Sequence, residues 1–218
     1  MIKKAPAPRS RLSSEERERQ IIEGAISYFS EVGFSGQTRE LSARLGITQP
    51  LLYRYFASKQ ALVERVYQTV FEGRWNPSWI RLLQDRTLPL RERLIEFYRQ
   101  YSQATYRPEW IRIYMHAGLS DPTLNRRYIQ LVRRELMPVY CQELRHACGL
   151  GGSKVPIAEQ EIEFVWSLHG GIFYQAMRQH VYKTRISVDF MKHVSLVVDN
   201  FLIGAKVTYP KLLESLKA

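Results

Sequence analysis

An all-α fold is predicted for this chain, with a small N-terminal unit followed by a larger helical one. Three observations carry that expectation. Apolar residues recur at three- and four-residue spacing almost throughout, and no stretch alternates apolar and polar as a half-buried strand does. Residues 38–56 hold two short helical patterns joined at a glycine. The last two patterns, roughly 157–182 and 187–208, are long and apolar around more than one face.

The first thirteen residues combine Lys3, Lys4, Arg9 and Arg11 with prolines and no period, and read as a flexible basic arm. Arg9 and Arg11 would suit phosphates or a minor groove. Ser13 and Glu16 then form a capping box. Ile21, Ile22, Ala25, Ile26, Phe29 and Val32 make the apolar stripe of a helix over 14–32, which Gly33 closes. Thr38 reads as the cap of a short helix containing Leu41 and Leu45. Gly46 ends it, Ile47 turns into a core, Thr48 caps the next helix, and Pro50 falls near its start, where a missing N–H costs nothing. That next helix, Gln49 to Phe56, turns Leu52 and Phe56 inward and exposes Gln49, Tyr53, Arg54 and Tyr55. Two short helices on a glycine turn, the second polar and aromatic outside, make a helix-turn-helix pattern suited to the DNA major groove. Arg54 suits a bidentate guanine contact, and Gln49 an adenine or a phosphate.

Ser58 caps a fourth helix whose apolar face is Leu62, Val63, Val66, Tyr67, Val70 and Phe71, ending near Gly73 to Pro77. Leu90 to Tyr101 mark a helix that Pro108 stops, and Trp110 to Ala117 a short one. Asp121-Pro122 opens a long helix to about Cys148, kinked at Pro138. Gly149 to Pro156 is a glycine-rich loop without the ending of a phosphate loop. The domain organisation expected is therefore an arm over 1–13, a helix-turn-helix domain over 14–60, and a helical domain over 61–218.

With 218 residues, 45% hydrophobic and 24% charged, the chain can bury a sizeable core. Its net charge of +11 favours anionic partners such as nucleic acid, an acidic membrane surface or an acidic ligand. Residues 1–60 hold ten Lys/Arg against six Asp/Glu, so charge alone does not locate a DNA face. Cys141 and Cys148, a heptad apart on one helix, are too distant for a disulfide and suit a reducing cytosol. No signal sequence or membrane-length apolar run is visible, which points to the cytoplasm and no membrane partner. The five histidines are scattered, and no metal spacing, nucleophile elbow or nucleotide-binding glycine pattern occurs. No catalysis, metal or cofactor is expected. Glu159, Glu161 and Glu163 sit near a helix start, where the dipole alone accounts for them.

Residues 14–60 resemble the DNA-binding domain of the TetR/AcrR family of bacterial transcriptional regulators. The likeness rests on Phe29-x-x-x-Gly33-Phe34, Thr38, Leu41-x-x-x-Leu45-Gly46-Ile47-Thr48, and Leu52-Tyr53-x-x-Phe56-x-x-Lys59-x-x-Leu62. It implies that Thr38, Tyr53 and Lys59 touch phosphates; Arg39 or the N-terminal arm would join them, around a recognition helix opened by Thr48, Gln49 and Pro50. Pro50 and Tyr55 depart from the residues common at their positions, so base preference does not transfer from relatives. The resemblance also implies a homodimer through the last two long helices, a palindromic double-stranded DNA operator, and a small-molecule effector that releases a repressor. Aromatic residues on helices that should face one another make a ligand pocket among Tyr98, Trp110, Tyr114, Trp166, His169 and Phe173. Trp79, Met115, His116 and Tyr174 are further candidates. Acidic residues are sparse in those helix interiors, so a neutral or anionic aromatic-sized compound is expected rather than a cation.

Overall fold

The computed structural model describes residues 13–151 and 155–216, and all of its regular structure there is helical. Helix α1 (Ser14–Val32) starts at the expected capping box, in which Ser13 Oγ accepts from the Glu16 N–H and the Glu16 carboxylate accepts from the Ser13 N–H. It ends at Gly33, whose φ of 77° places it where a side chain is strained. Helices α2 (Thr38–Arg44) and α3 (Gln49–Tyr55) follow, joined through Gly46 at φ 63°. Ile21, Ile22, Ala25 and Phe29 of α1 meet Leu41, Leu52 and Phe56 in a buried cluster, so α1 carries the pair on its apolar stripe. Helix α4 (Lys59–Val70) starts at Ser58, whose hydroxyl accepts from the Ala61 N–H.

Beyond a single 3-10 turn come α5 (Ser78–Gln84), α6 (Leu90–Thr105), α7 (Pro108–Ser120), α8 (Thr123–Glu135) and α9 (Met137–Ala147). Helices α10 (Glu159–His180) and α11 (Phe190–Ser215) complete the order. One buried cluster runs without a break from Ile21 in α1 to Val198 in α11.

Four expectations are corrected. Helix α5 has no counterpart in the pattern read from sequence, because seven residues give too few repeats to show a period. Trp79 from it is core, edge-on to Trp75, Phe97 and Tyr101, not a ligand residue. The long kinked helix from Asp121 is two helices broken at Leu136, since Pro138 offers no N–H to continue the ladder and instead opens α9 in its first turn. Pro108 both follows α6 and begins α7. Helix α11 begins three residues later than expected, at the Asp189 cap. It runs past Pro210 to Ser215, with Leu212 and Leu213 packed against the cluster of Leu144, Ala205 and Tyr209. The basic arm, with Arg9 and Arg11, lies outside the described residues apart from Ser13, as does the centre of the glycine-rich loop.

Candidate nucleic-acid interface and ligand cavity

The α2–α3 surface is organised by a hydrogen-bonded trio. Thr38 is not a helix cap: Gln37 holds that position without a side-chain bond, and Thr38 begins α2 nearly buried. Its hydroxyl lies 3.0 Å from the Tyr53 hydroxyl and accepts from Gln49 Nε2 at 3.0 Å. Those bonds tie the first turn of α2 to the outer face of α3 and fix two of its polar side chains. Thr48 does cap α3, accepting from the Leu51 N–H at 3.3 Å, with Pro50 exposed in the first turn.

Charge on this surface divides by pairing. Arg44 is neutralised by Glu31 at 2.6 Å and Glu40 at 3.0 Å, and stacks over the Tyr28 ring. Arg39 and Arg54 are exposed, and neither they nor half-buried Lys59 has an ion-pair partner among the described residues. Tyr53 is 40% exposed. Tyr55, expected to be exposed beside Arg54, is instead half-buried against the core. On a 3.6-residue turn Tyr53 and Tyr55 flank Arg54 at about 100° on either side, and Tyr55 takes the flank that packs against the core.

The second feature is a cavity of about 340 Å³ lined by α6, α7, α8 and α10 and open to solvent on one side. Trp110, Tyr114, Trp166, His169 and Phe173 all line it. Trp110 and Tyr114 stack with ring centroids 5.0 Å apart, and Phe173 stands edge-on to Tyr114 at 5.8 Å. Tyr98 is corrected: it sits one layer behind, fully buried, with its hydroxyl 3.4 Å from His169 Nδ1. Burial alone drives the His169 pKa down to about 4, so the imidazole is neutral near pH 7.

Sequence reasoning missed Tyr101, Tyr106, Tyr128, Ile129, Val132, Glu163 and Gly170. Tyr128 and Val132 fall four apart on α8 and carried that signal, but the helix looked like one half of a longer one. The Tyr101 and Tyr128 hydroxyls meet at 2.7 Å, whereas Tyr106 Oη and Trp110 Nε1 are buried without a hydrogen-bond partner. Of the other aromatic candidates, Tyr174 is 53% exposed and His116 packs beside Gly33 at the end of α1. Among the described residues no three His, Cys, Asp or Glu side chains gather as a metal ion would need.

The cavity walls also hold the N-terminal helices. Arg112 of α7 donates from Nε to the Ser30 carbonyl of α1 at 2.7 Å. Arg127 of α8 pairs with Glu64 of α4 at 2.7 Å and with Glu72 at 2.8 Å, and lies 4.3 Å over the Tyr67 ring. Burial pushes the Tyr67 hydroxyl up to about 12, so this ring stays neutral beneath the guanidinium. A shift of α7 or α8 therefore acts on α1 and α4 through charged bonds rather than through apolar packing alone.

A glycine-jointed α2–α3 pair carried on α1 defines a helix-turn-helix protein of all-α class. Residues 21–66 match the family model of bacterial regulatory proteins, tetR family. The family likeness is thus carried by the N-terminal helices, α1 to α4. A tetracycline repressor protein of class A, from transposon 1721 of Escherichia coli, is 39% identical over 51 residues, 23% of this chain and 24% of that relative. The match thus spans about a quarter of the curated relative's length. The wider fold is similar to a TetR-like transcriptional regulator from Rhodococcus sp. RHA1, at TM-score 0.63 and 18% identity over 88% of this chain and 96% of that one. It is similar also to a TetR family transcriptional regulator from Pseudomonas syringae pv. tomato str. DC3000, at TM-score 0.55 and 18% identity over 89% and 96%. No helix among the described residues is long and apolar enough to cross a membrane.

Proposed function

We propose that this protein is a homodimeric, ligand-responsive transcriptional repressor. Residues 14–60 form its operator-binding head, and residues 61–218 sense a small molecule and dimerise. Gln49, Tyr53 and Arg54 enter the major groove, with Arg54 reading a guanine. Thr38, Arg39, Thr48, Pro50 and Lys59 border the DNA backbone, and half-buried Tyr55 supports α3 from behind.

The observation that carries this reading is that α7 and α8 wall the cavity while Arg112 and Arg127 bind them to α1 and α4. A ligand that fits one spacing of those helices better than another shifts the population of head positions by its differential affinity. Dimerisation is supported by the apolar side chains that α11 leaves in solvent. Leu196 at 57%, Ile203 at 69% and Val207 at 60% exposure recur at intervals of seven and four along one face. A two-fold dimer on that face presents two α3 helices to a two-fold-symmetric operator.

The test is footprinting on genomic fragments together with mass measurement in solution. The expected result is a protected palindrome with half-sites about one helical turn apart, bound by a species of twice the chain mass. A monomer at micromolar concentration, or binding without any sequence preference, would overturn it.

A further inference from the structure

We propose that the cavity selects a small organic monocation, seated with its charge among the Tyr114, Trp166 and Phe173 rings and facing the Glu163 carboxylate. This rests on reading the cavity as the effector site, and it reverses the neutral or anionic compound expected from sequence.

Seven of the twelve lining residues are Tyr, Trp or Phe, whose ring faces attract a cation and repel an anion. Glu163 is the one acidic side chain among the described lining residues, and neither Lys nor Arg is among them. Glu163, Trp166, Gly170 and Phe173 fall at three- and four-residue steps on α10, so carboxylate and rings share one helix face. Glu163 is exposed, and its carboxylate accepts no hydrogen bond or ion pair among the described residues. The positive charge whose field reaches it belongs to Arg133, and that guanidinium is already paired with Glu159. His169 at the inner end adds no opposing charge, because its burial keeps it neutral. Half-buried Trp166, Tyr114 and Phe173 form the outer wall next to Glu163, while fully buried Trp110 forms the floor. A cation there gains apolar burial, ring faces and a carboxylate; a neutral acceptor gains the burial and the unpartnered Tyr106 hydroxyl and Trp110 Nε1–H, and an anion meets those donors but also the ring faces and the carboxylate.

Glu163 alternates with Glu159 and Glu161, which hid its role. Glu161 is fully buried and bonded to Arg145 and Tyr209, Glu159 pairs with Arg133, and Glu163 alone faces the cavity.

The experiment uses the full-length chain and three probes of one shape: benzyltrimethylammonium, its uncharged carbon analogue neopentylbenzene, and phenylmethanesulfonate. Trp110 and Trp166 in the lining report binding through intrinsic fluorescence. The expected result is benzyltrimethylammonium bound roughly tenfold tighter than neopentylbenzene, with phenylmethanesulfonate weakest. In Glu163→Gln, a surface change checked by its melting curve, the cation-to-neutral ratio should fall at least about threefold. Equal or tighter binding of the neutral or anionic probe overturns the charge selection while leaving an effector cavity in place. A ratio unchanged in Glu163→Gln overturns the role of that carboxylate. Failure of all three probes to bind removes the cavity as a ligand site, and this inference with it.

Discussion

The proposed DNA face and the cavity are made from opposite materials. The α2–α3 surface offers exposed or half-exposed cationic groups with no ion-pair partner among the described residues, Arg39, Arg54 and nearby Lys59, held over a small core. The cavity works with buried rings that touch one another, Tyr106, Trp110 and Tyr128, and with a single exposed carboxylate. On the face, a side chain is useful because the chain leaves it unsatisfied; in the cavity, because the surrounding packing leaves a gap. Mutations should therefore separate cleanly. Cavity residues couple function to stability, and DNA-face residues do not.

The largest effect tests the cavity floor. Trp110→Ala should lower unfolding free energy by about 3–5 kcal/mol, since it removes a fully buried ring that meets Phe71, Tyr114 and Tyr128. Trp166→Ala, at the half-buried outer wall, should cost clearly less in the same denaturant titration. Equal costs would mean that the outer wall is ordinary core.

His169 comes next. Its pKa falls from 6.5 unfolded to about 4 folded, so the unfolded chain binds the proton first as pH drops. The stability associated with the neutral buried ring is complete above about pH 6.5 and is lost as pH falls to about 4, up to roughly 3 kcal/mol. Unfolding measured across that window should show a steeper loss in the wild type than in His169→Phe, and parallel curves would contradict it.

The smallest effects lie on the DNA face and should leave the melting curve almost unchanged. Arg54→Ala should cost about 1–3 kcal/mol of operator binding and relax preference at one base pair. Lys59→Ala should weaken all sequences evenly and reduce the salt dependence by about one unit. Uniform weakening by Arg54→Ala would reassign that side chain to a phosphate.

Legibility from sequence followed the same division. The head could be read because capping, turn and inward residues each have a local signature: Ser13 with Glu16, Gly46, Thr48, and Leu52 with Phe56 all stand where their chemistry requires. Thr38 was misread, since a threonine at a helix start fits a cap equally well, and only Tyr53 and Gln49 across the turn make it a bonding hub. The cavity was half legible. Aromatic residues on α7 and α10 suggested it, yet Tyr98 and Tyr101, three apart on α6, differ by one layer of depth that no pattern along the chain encodes. Glu163 was hidden by a helix-start explanation that holds for its two neighbours. Arg112 and Arg127 left no trace in sequence, because their partners lie 82 and 63 residues away.

Filling the cavity should move the head. Gly170 lines the cavity, and a Cβ added there would meet no atom within 4 Å, so Gly170→Trp starts a bulky side chain at the cavity wall without a clash at Cβ. Operator affinity should be measured by fluorescence anisotropy for this variant and the wild type, with mass and melting curve matched. The account predicts at least about tenfold weaker operator binding by a still-dimeric, fully folded Gly170→Trp. Unchanged affinity in that dimer would contradict it.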